Sequence, residues 1–183
     1  KALIRLDANQ GYTFPQAQML VQNIDYQGIE FLEQPFKENE WEGMVELAKI
    51  SPVPLGLDES IYAIEAVEKA GRLQCARFVK FKIMKMGSGE GLARGIETAK
   101  KYGLKVILGN GAAGEISCYH EALVASKMIS LAGEMNGFLK PKESILAEGL
   151  EIQGGKIILE PKFSLKLDPR NIDRFAIDRL SWG

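Results

Sequence analysis

Cysteine and histidine are scarce in this sequence. Among its 183 residues are two cysteines, Cys75 and Cys118, and one histidine, His120. The cysteines form no CxxC pair, so neither a disulfide scaffold nor a Cys/His zinc site is indicated. His120 falls inside a predicted helix, away from any strand end, which favours a packing or surface role. This cysteine usage is typical of a reducing compartment, and we expect a cytoplasmic protein.

A charge excess of either sign and long apolar runs are also lacking. Lys and Arg together number 23 and Asp and Glu 24, which gives a net charge of −1. The sequence therefore lacks the excess of basic residues that binding to nucleic acid or to an anionic membrane surface requires. No stretch approaches the roughly 18 uninterrupted apolar residues that a membrane-spanning helix needs. We expect neither nucleic acid nor a membrane as a partner.

What the sequence does contain is a regular alternation of short apolar runs and longer amphipathic runs. The short runs predict strands at residues 2–6, 29–32, 55–57, 78–81, 105–108 and 129–132. The longer runs predict helices at residues 14–23, 40–50, 61–70, 89–102 and 115–126. Strands that alternate with helices imply a parallel sheet covered by helices.

A polar residue closes each predicted strand at nearly constant intervals of 24 to 28 residues. These residues are Asp7, Glu33, Asp58, Lys82, Asn110 and Glu134. Such regularity favours one βα unit repeated around a ring over an irregular doubly wound sheet, so we predict an α/β fold of the TIM-barrel type. A closed barrel has eight strands. We therefore expect six βα units of an incomplete barrel, with an upstream part of the same protein supplying the rest.

The alternation of predicted strands and helices ends after Glu134, and this change predicts two regions. Residues 1–136 form the partial barrel that carries the active-site strand ends, and residues 137–183 form a C-terminal segment. Within this segment, residues 150–153 and 156–159 flank Gly154-Gly155 as a hairpin with a two-residue turn. Residues 163–167 alternate like an edge strand, and residues 168–183 form a polar tail with no assigned structure. The hairpin is expected to pack on a domain outside this chain.

Three of the residues that close strands are carboxylates, namely Asp7, Glu33 and Asp58. Side chains at the ends of neighbouring strands converge on one mouth, where three carboxylates repel each other unless a cation neutralises them. Ligation by oxygen alone suits a hard ion, so the pattern predicts a Mg²⁺ site in which Mn²⁺ could substitute. Alternatively, each residue only caps the helix that follows. The equal spacing over three units favours the metal site.

Lys82 ends the fourth predicted strand and shares a strand face with Lys80. A lysine beside a metal ion and other cations can lose its proton near neutral pH and act as a base. A solvated strand end is the simpler interpretation of a lone lysine. Because carboxylates close the three preceding strands, we predict that Lys82 is catalytic.

The stretch from Gly109 to Gly114 matches the GxGxxG pattern after a predicted strand and before a predicted helix. Glu134 lies 20 residues further on, where a dinucleotide-binding domain carries a ribose-binding acid. This alternative places the motif in the fifth unit, whereas such domains carry it in the first. It also leaves the three carboxylates unexplained. A dinucleotide-binding domain nevertheless stays open as a second class of function.

Four segments at strand ends resemble successive motifs of the enolase superfamily, in particular its muconate-lactonizing subgroup. They are residues 6–12 (LDANQGY), 31–35 (FLEQP), 57–60 (LDES) and 82–88 (KIMKMGS). The likeness runs from residue 1 to about residue 170. It implies that the chain is the TIM-type barrel portion of such a protein. It also implies Asp7, Glu33 and Asp58 as Mg²⁺ ligands and Lys82 as the acid/base lysine on one face of the substrate.

The resemblance also marks departures from the family's pattern. The family has a second lysine on the strand before the one that ends at Asp7, and a capping domain that closes the site. It commonly has Asn-x-Lys where this chain has Lys80 and Lys82. Relatives of mandelate racemase need a histidine near Asn110, and His120 lies 10 residues later. Dipeptide epimerases carry Asp-x-Asp after the last strand, a pattern missing around residues 130–132.

The implied reaction is abstraction of the proton α to a carboxylate, giving an enediolate that a divalent ion stabilises. Its outcome is racemisation, cycloisomerisation or dehydration, the last as in o-succinylbenzoate synthase. A catalytically silent barrel fragment that only binds metal is a further alternative. We expect a homo-oligomer and a small-molecule carboxylate as the substrate. The residues expected to contact the substrate are Asn9, Lys80, Asn110, Glu115 and Glu134.

Overall fold

A computed structural model describes residues 2–159, 165–178 and 180. Within these residues, five parallel strands form one sheet: β1 (Ile4–Asp7), β2 (Ile29–Glu33), β3 (Leu55–Leu57), β4 (Phe78–Phe81) and β5 (Lys105–Leu108). The helices that follow the strands are α1 (Phe14–Asn23), α2 (Trp41–Ile50), α3 (Ile64–Leu73), α4 (Ile83–Met86), α5 (Gly89–Lys101) and α6 (Glu115–Met128). The C-terminal segment contains a 3-10 turn (Gly137–Leu139), the hairpin strands β6 (Ile152–Gln153) and β7 (Lys156–Ile157), and α7 (Pro169–Phe175).

The strands pair in chain order, β1-β2-β3-β4-β5, and every pairing is parallel. This is the order of consecutive βα units in a barrel, whereas a dinucleotide-binding sheet reverses its strand order at a switch point. The TIM-barrel type is therefore confirmed, as an incomplete barrel. None of the helices in the described ranges is long and apolar enough to cross a membrane.

Both faces of the sheet are apolar, as is usual for parallel strands. On β2, Leu32 belongs to the large core between the sheet and the helices, while Phe31 belongs to a separate cluster. In that cluster, Phe31 stacks on Phe78 with ring centroids 4.6 Å apart, and Ile107 and Leu131 pack beside them. Because successive strand residues point to opposite faces, this smaller cluster marks the face that becomes the barrel interior.

The sixth predicted strand, residues 129–132, is not formed. Helix α6 continues to Met128, and Leu131 packs on the interior cluster. Pairing begins only at Glu134, whose N–H donates to the carbonyl of Leu108 (2.7 Å) and whose carbonyl accepts from the N–H of Asn110 (3.2 Å). The prediction was wrong because the apolar run after α6 returns the chain to the sheet edge. Its side chains pack there without forming a ladder.

The C-terminal segment confirms the predicted hairpin and adds a helix to the polar tail, for which the sequence predicted no structure. Gly154 and Gly155 form the turn with φ of 57° and 75°, values that favour glycine. The tail contains α7, because Asp168 caps the helix by accepting from the N–H of Arg170 (2.9 Å) and a proline follows it directly.

Two other predictions for this segment are tested only in part or not at all. Of the edge strand predicted at residues 163–167, residues 163 and 164 lie outside the described part. Leu167 makes an isolated antiparallel bridge to Leu146. The division of the chain at residue 136 stays a prediction.

Two helical glycines give a matched test of the packing between helices. A methyl group at Gly71 of α3 would overlap the ring of Tyr102, whereas one at Gly89 of α5 would meet Val124 at 3.9 Å. We expect Gly71→Ala to lower the free energy of unfolding by about 1–3 kcal/mol and Gly89→Ala to change it by less than about 1 kcal/mol. Urea denaturation of the complete protein measures both, and equal effects would contradict this packing.

Candidate active site

The carboxyl ends of four neighbouring strands place the predicted metal ligands and the predicted base along one edge of the sheet. Asp7 ends β1 and Glu33 ends β2, and the two residues are register partners. Asp58 directly follows β3, and Lys82 directly follows β4. Because the strands are parallel, all four residues lie at the same edge, where barrel enzymes hold their active sites.

Asp58 is buried and binds two lysines. Its Oδ2 lies 2.7 Å from Nζ of Lys82, and its Oδ1 lies 2.7 Å from Nζ of Lys85. Lys85 also donates to the main-chain carbonyl of Asp58 (2.8 Å). Burial by itself would raise the pKa of Asp58, but the hydrogen bonds from both lysines outweigh it and hold this pKa below its ordinary value. Asp58 is therefore an ionised carboxylate in a fixed orientation.

Glu33 and Lys80 form a second ionic contact inside the incomplete barrel. Nζ of Lys80 lies 2.6 Å from Oε1 of Glu33 and 2.7 Å from Oε2 of Glu134. Arg5 contacts the other oxygen of Glu134 at 3.0 Å. A chain of alternating charges thus runs from Arg5 of β1 through Glu134 and Lys80 of β4 to Glu33 of β2.

Burial dominates the electrostatics of Glu33. It raises the pKa of this carboxyl group against the lowering effect of Lys80, and repulsion from Asp7 and Asp58 adds to the rise. The pKa of Lys80 is raised as well, because Glu33 and Glu134 outweigh the effect of its own burial. The contact of Glu33 Oε1 with Lys80 lacks hydrogen-bond geometry. Lys80 therefore offsets the cost of ionising the buried Glu33 carboxyl only in part.

These observations bear on whether the site suits a divalent ion. Among the residues that the structure describes, no three acidic side chains are gathered closely enough to hold a metal ion. The donors nevertheless fit a hard ion, since Asp7, Glu33 and Asp58 offer only carboxylate oxygens. The unfavourable ionisation of buried Glu33 is what a nearby cation would relieve. These three residues are thus the ones that would hold Mg²⁺, in competition with the lysine ammonium groups.

Gln34 is a functional residue that sequence reasoning missed. It is fully buried, and its Oε1 accepts from the N–H groups of Asp58 (3.0 Å) and Ser60 (3.2 Å). Its Nε2 donates to the hydroxyl of Ser60 and to the carbonyl of Phe36, each at 2.9 Å. Gln34 therefore fixes the end of β3 to the end of β2. Its position beside Glu33 was the available signal.

Glu121 is a second missed residue, and it lies on α6. This side chain is fully buried. Its Oε1 accepts a hydrogen bond from the N–H of Ile83 (2.7 Å), and its Oε2 accepts one from Nδ2 of Asn110 (2.9 Å). Ile83 directly follows Lys82, so Glu121 ties the ends of β4 and β5 to the helix. A lone glutamate within an amphipathic run gives no sequence signal for this role.

The remaining predicted substrate contacts are divided between two places. Asn110 and Glu134 lie with the strand ends, as described. Asn9 is exposed, and its N–H donates to Oδ1 of Asp7 (3.0 Å). Glu115 begins α6 and accepts from the N–H of Leu150 (3.1 Å) and from the hydroxyl of Ser144, so it holds the C-terminal segment. Contact with a substrate stays a prediction for all of them.

The glycine-rich stretch does not form a dinucleotide site in this arrangement. Gly109 bridges to Glu134 as a continuation of the sheet, and the carboxylate of Glu134 is taken by Lys80 and Arg5. The strand order lacks the reversal at which dinucleotides bind. His120 is exposed on α6, so of the packing and surface roles predicted for it the structure favours the surface role.

Glu121 predicts a pH dependence of stability. Burial raises its pKa above the ordinary 4.5, and the hydrogen bonds from Ile83 and Asn110 offset this only in part. Its stabilising contribution is therefore complete below that value and is lost as the pH rises through the folded-state pKa. We expect Glu121→Gln, which cannot ionise, to lose less stability than the wild type as the pH rises above 4.5.

Urea denaturation at several pH values measures this difference, with Glu97→Gln as the control because Glu97 is exposed on α5. The control should follow the wild type throughout. A Glu121→Gln variant that also follows the wild type would show that Glu121 ionises normally.

Comparison with known proteins places the chain in a family. Residues 1–168 match the enolase C-terminal domain-like family. Muconate cycloisomerase 1 of Pseudomonas putida is 28% identical over 180 residues, which is 96% of this chain and 48% of that protein. An L-Ala-D/L-amino acid epimerase of Flavobacterium johnsoniae is 33% identical over 162 residues, which is 85% of this chain and 45% of that protein.

A solved structure shows the same relationship in three dimensions. The crystal structure of muconate cycloisomerase from Pseudomonas fluorescens is similar with a TM-score of 0.89 and 28% identity. The match covers 97% of this chain and 50% of that one. The chain thus spans about half the length of the curated relatives that it matches. Strand order, strand-end residues and these matches agree, and the chain belongs to the enolase C-terminal domain-like family.

Proposed function

We propose that the protein is a Mg²⁺-dependent enzyme that removes the proton α to a carboxylate of a small-molecule substrate. The observation that carries the proposal is the arrangement at the strand ends. Three carboxylates close or follow β1, β2 and β3, and Lys82 follows β4 with its Nζ 2.7 Å from Oδ2 of Asp58. A base and a set of oxygen ligands thus share one mouth.

Asp7, Glu33 and Asp58 are the residues that would hold the ion. When bound, the ion would supply positive charge where negative charge develops on the substrate carboxylate as the α-proton leaves. The chain's own residues do the rest. Gln34 holds the backbone of Asp58, and Lys85 holds its carboxylate, so this ligand is fixed before the substrate arrives.

Lys82 is the group that moves the proton. Its side chain is 25% exposed, so the amine can exchange its contact with Asp58 for one with a substrate in the mouth. Glu121 fixes the main chain at Ile83, which limits the movement of Lys82 to its side chain. A positioned base of this kind contributes about 10²–10⁴-fold to a rate.

The candidate reactions differ in what happens to the enediolate after it forms. The resemblance to muconate cycloisomerases favours cycloisomerisation, and the relatives named epimerases favour return of the proton to the opposite face. Racemisation and dehydration share the first step. We therefore propose an isomerase or lyase of the muconate-lactonizing type, and we expect it to act as a homo-oligomer. Assays with muconate and with L-Ala dipeptides distinguish the first two reactions.

Metal binding is the first test of this proposal. We expect equilibrium dialysis of the complete protein to show Mn²⁺ or Mg²⁺ binding that Asp58→Asn removes, because a ligand carboxylate is lost. Asp25→Asn is the control, since Asp25 is an exposed residue between α1 and β2. Binding that survives Asp58→Asn would contradict the site. NADH binding without dependence on metal would support the dinucleotide alternative.

Proton exchange is the second test. We expect Lys82→Ala to slow exchange of the substrate α-proton with deuterated solvent by about 10²–10⁴-fold on one face of the substrate, with metal binding retained. NMR of both enantiomers measures the exchange. Lys49→Ala is the control, because Lys49 is an exposed lysine on α2.

Two outcomes would count against this role of Lys82. Wild-type exchange on both faces of the substrate in Lys82→Ala would show that Lys82 is not the base. Metal binding by a wild-type protein that exchanges no proton would favour the catalytically silent alternative.

A further inference from the structure

Lys80 is a buried cation inside the incomplete barrel. Its side chain is 7% exposed, and its ammonium group lies between Glu33 of β2 and Glu134, the residue that bridges to the end of β5. The distances from its Nζ are 2.6 Å to Oε1 of Glu33 and 2.7 Å to Oε2 of Glu134. One of the predicted metal ligands therefore already has a positive charge beside it.

The surrounding backbone keeps Lys80 in this place. Its aliphatic stem passes so close to Gly109 that a Cβ at the glycine would lie 2.9 Å from Cγ of Lys80 and 3.1 Å from its Cε. Lys82 differs, since its side chain is 25% exposed. Lys82 can thus turn towards a ligand in the mouth, whereas Lys80 stays on Glu33.

We infer that Lys80 is a built-in cation that competes with a divalent ion for Glu33 and so weakens metal binding at Asp7, Glu33 and Asp58. The inference rests on the metal site of the proposed function. Two cations that share one carboxylate repel each other, and the repulsion is strongest where burial keeps water away. The absence of a gathered acidic cluster among the described residues agrees with lysines holding the carboxylates.

Glu134 moderates this competition. It draws part of the charge of Lys80 to itself, and Arg5 fixes it by contacting its other oxygen at 3.0 Å. Without the charge of Glu134, the whole charge of Lys80 would act on Glu33. The effect of Glu134 on metal binding should therefore depend on the presence of Lys80, a dependence that a double-mutant cycle measures.

The test is Mn²⁺ affinity of the complete protein in the absence of substrate, measured by electron paramagnetic resonance. We expect Lys80→Met and Lys80→Gln to bind Mn²⁺ about tenfold more tightly than the wild type, because the competing charge is removed. Lys80→Arg keeps the charge and should bind like the wild type. Glu134→Gln should weaken binding in the wild-type background and change it by less in the Lys80→Met background.

Circular dichroism melting shows which variants are folded, and Lys80→Gln retains hydrogen-bond donors for the two acids if Lys80→Met does not fold. Unchanged or weaker binding in the folded charge-removing variants would overturn the inference and leave the proposed function standing. Binding in those variants but not in the wild type would support the inference and overturn Mg²⁺ dependence. No binding in any of these proteins would overturn both.

Discussion

The candidate site depends on one constraint, which is that consecutive strands are parallel and adjacent. This arrangement puts the carboxyl end of every strand on the same edge of the sheet. Residues 25 positions apart in the chain, such as Glu33 and Asp58, thereby meet at one mouth. The cluster of Phe31, Phe78 and Ile107 covers the face of the sheet that becomes the barrel interior, below these strand ends. The charged residues at the strand ends consequently rest on a packed, apolar support.

Charge balance is the second physical feature of this mouth. Buried carboxylates are costly unless cations accompany them. Here lysines are those cations, with Lys82 and Lys85 on Asp58 and Lys80 on Glu33. If the proposed metal site is correct, the same charges would also oppose the entry of a metal ion.

Two buried side chains, Gln34 and Glu121, support the charged residues at the strand ends. Gln34 connects the ends of β2 and β3, and Glu121 connects the ends of β4 and β5 through α6. Each uses both polar atoms of its side chain, so a substitution leaves main-chain donors unpaired. These contacts explain how strands of only three to five residues present their ends in a fixed arrangement.

The sequence by itself determined the features that depend on neighbouring residues. Apolar periodicity and turn residues placed β3, β4 and β5, and Gly154-Gly155 placed the hairpin, because these signals are local. The regular spacing of Asp7, Glu33 and Asp58 also indicated the repeated unit and the edge that carries the site.

Only the tertiary structure decided which charges meet. Arg5 and Glu134 are 129 residues apart, and Glu121 reaches Ile83 across 38 residues, so no local pattern encodes these contacts. The sixth strand was wrongly predicted for the same reason. Leu131 packs beside Phe31 and Phe78, and those two rings meet only once β2, β3 and β4 have paired.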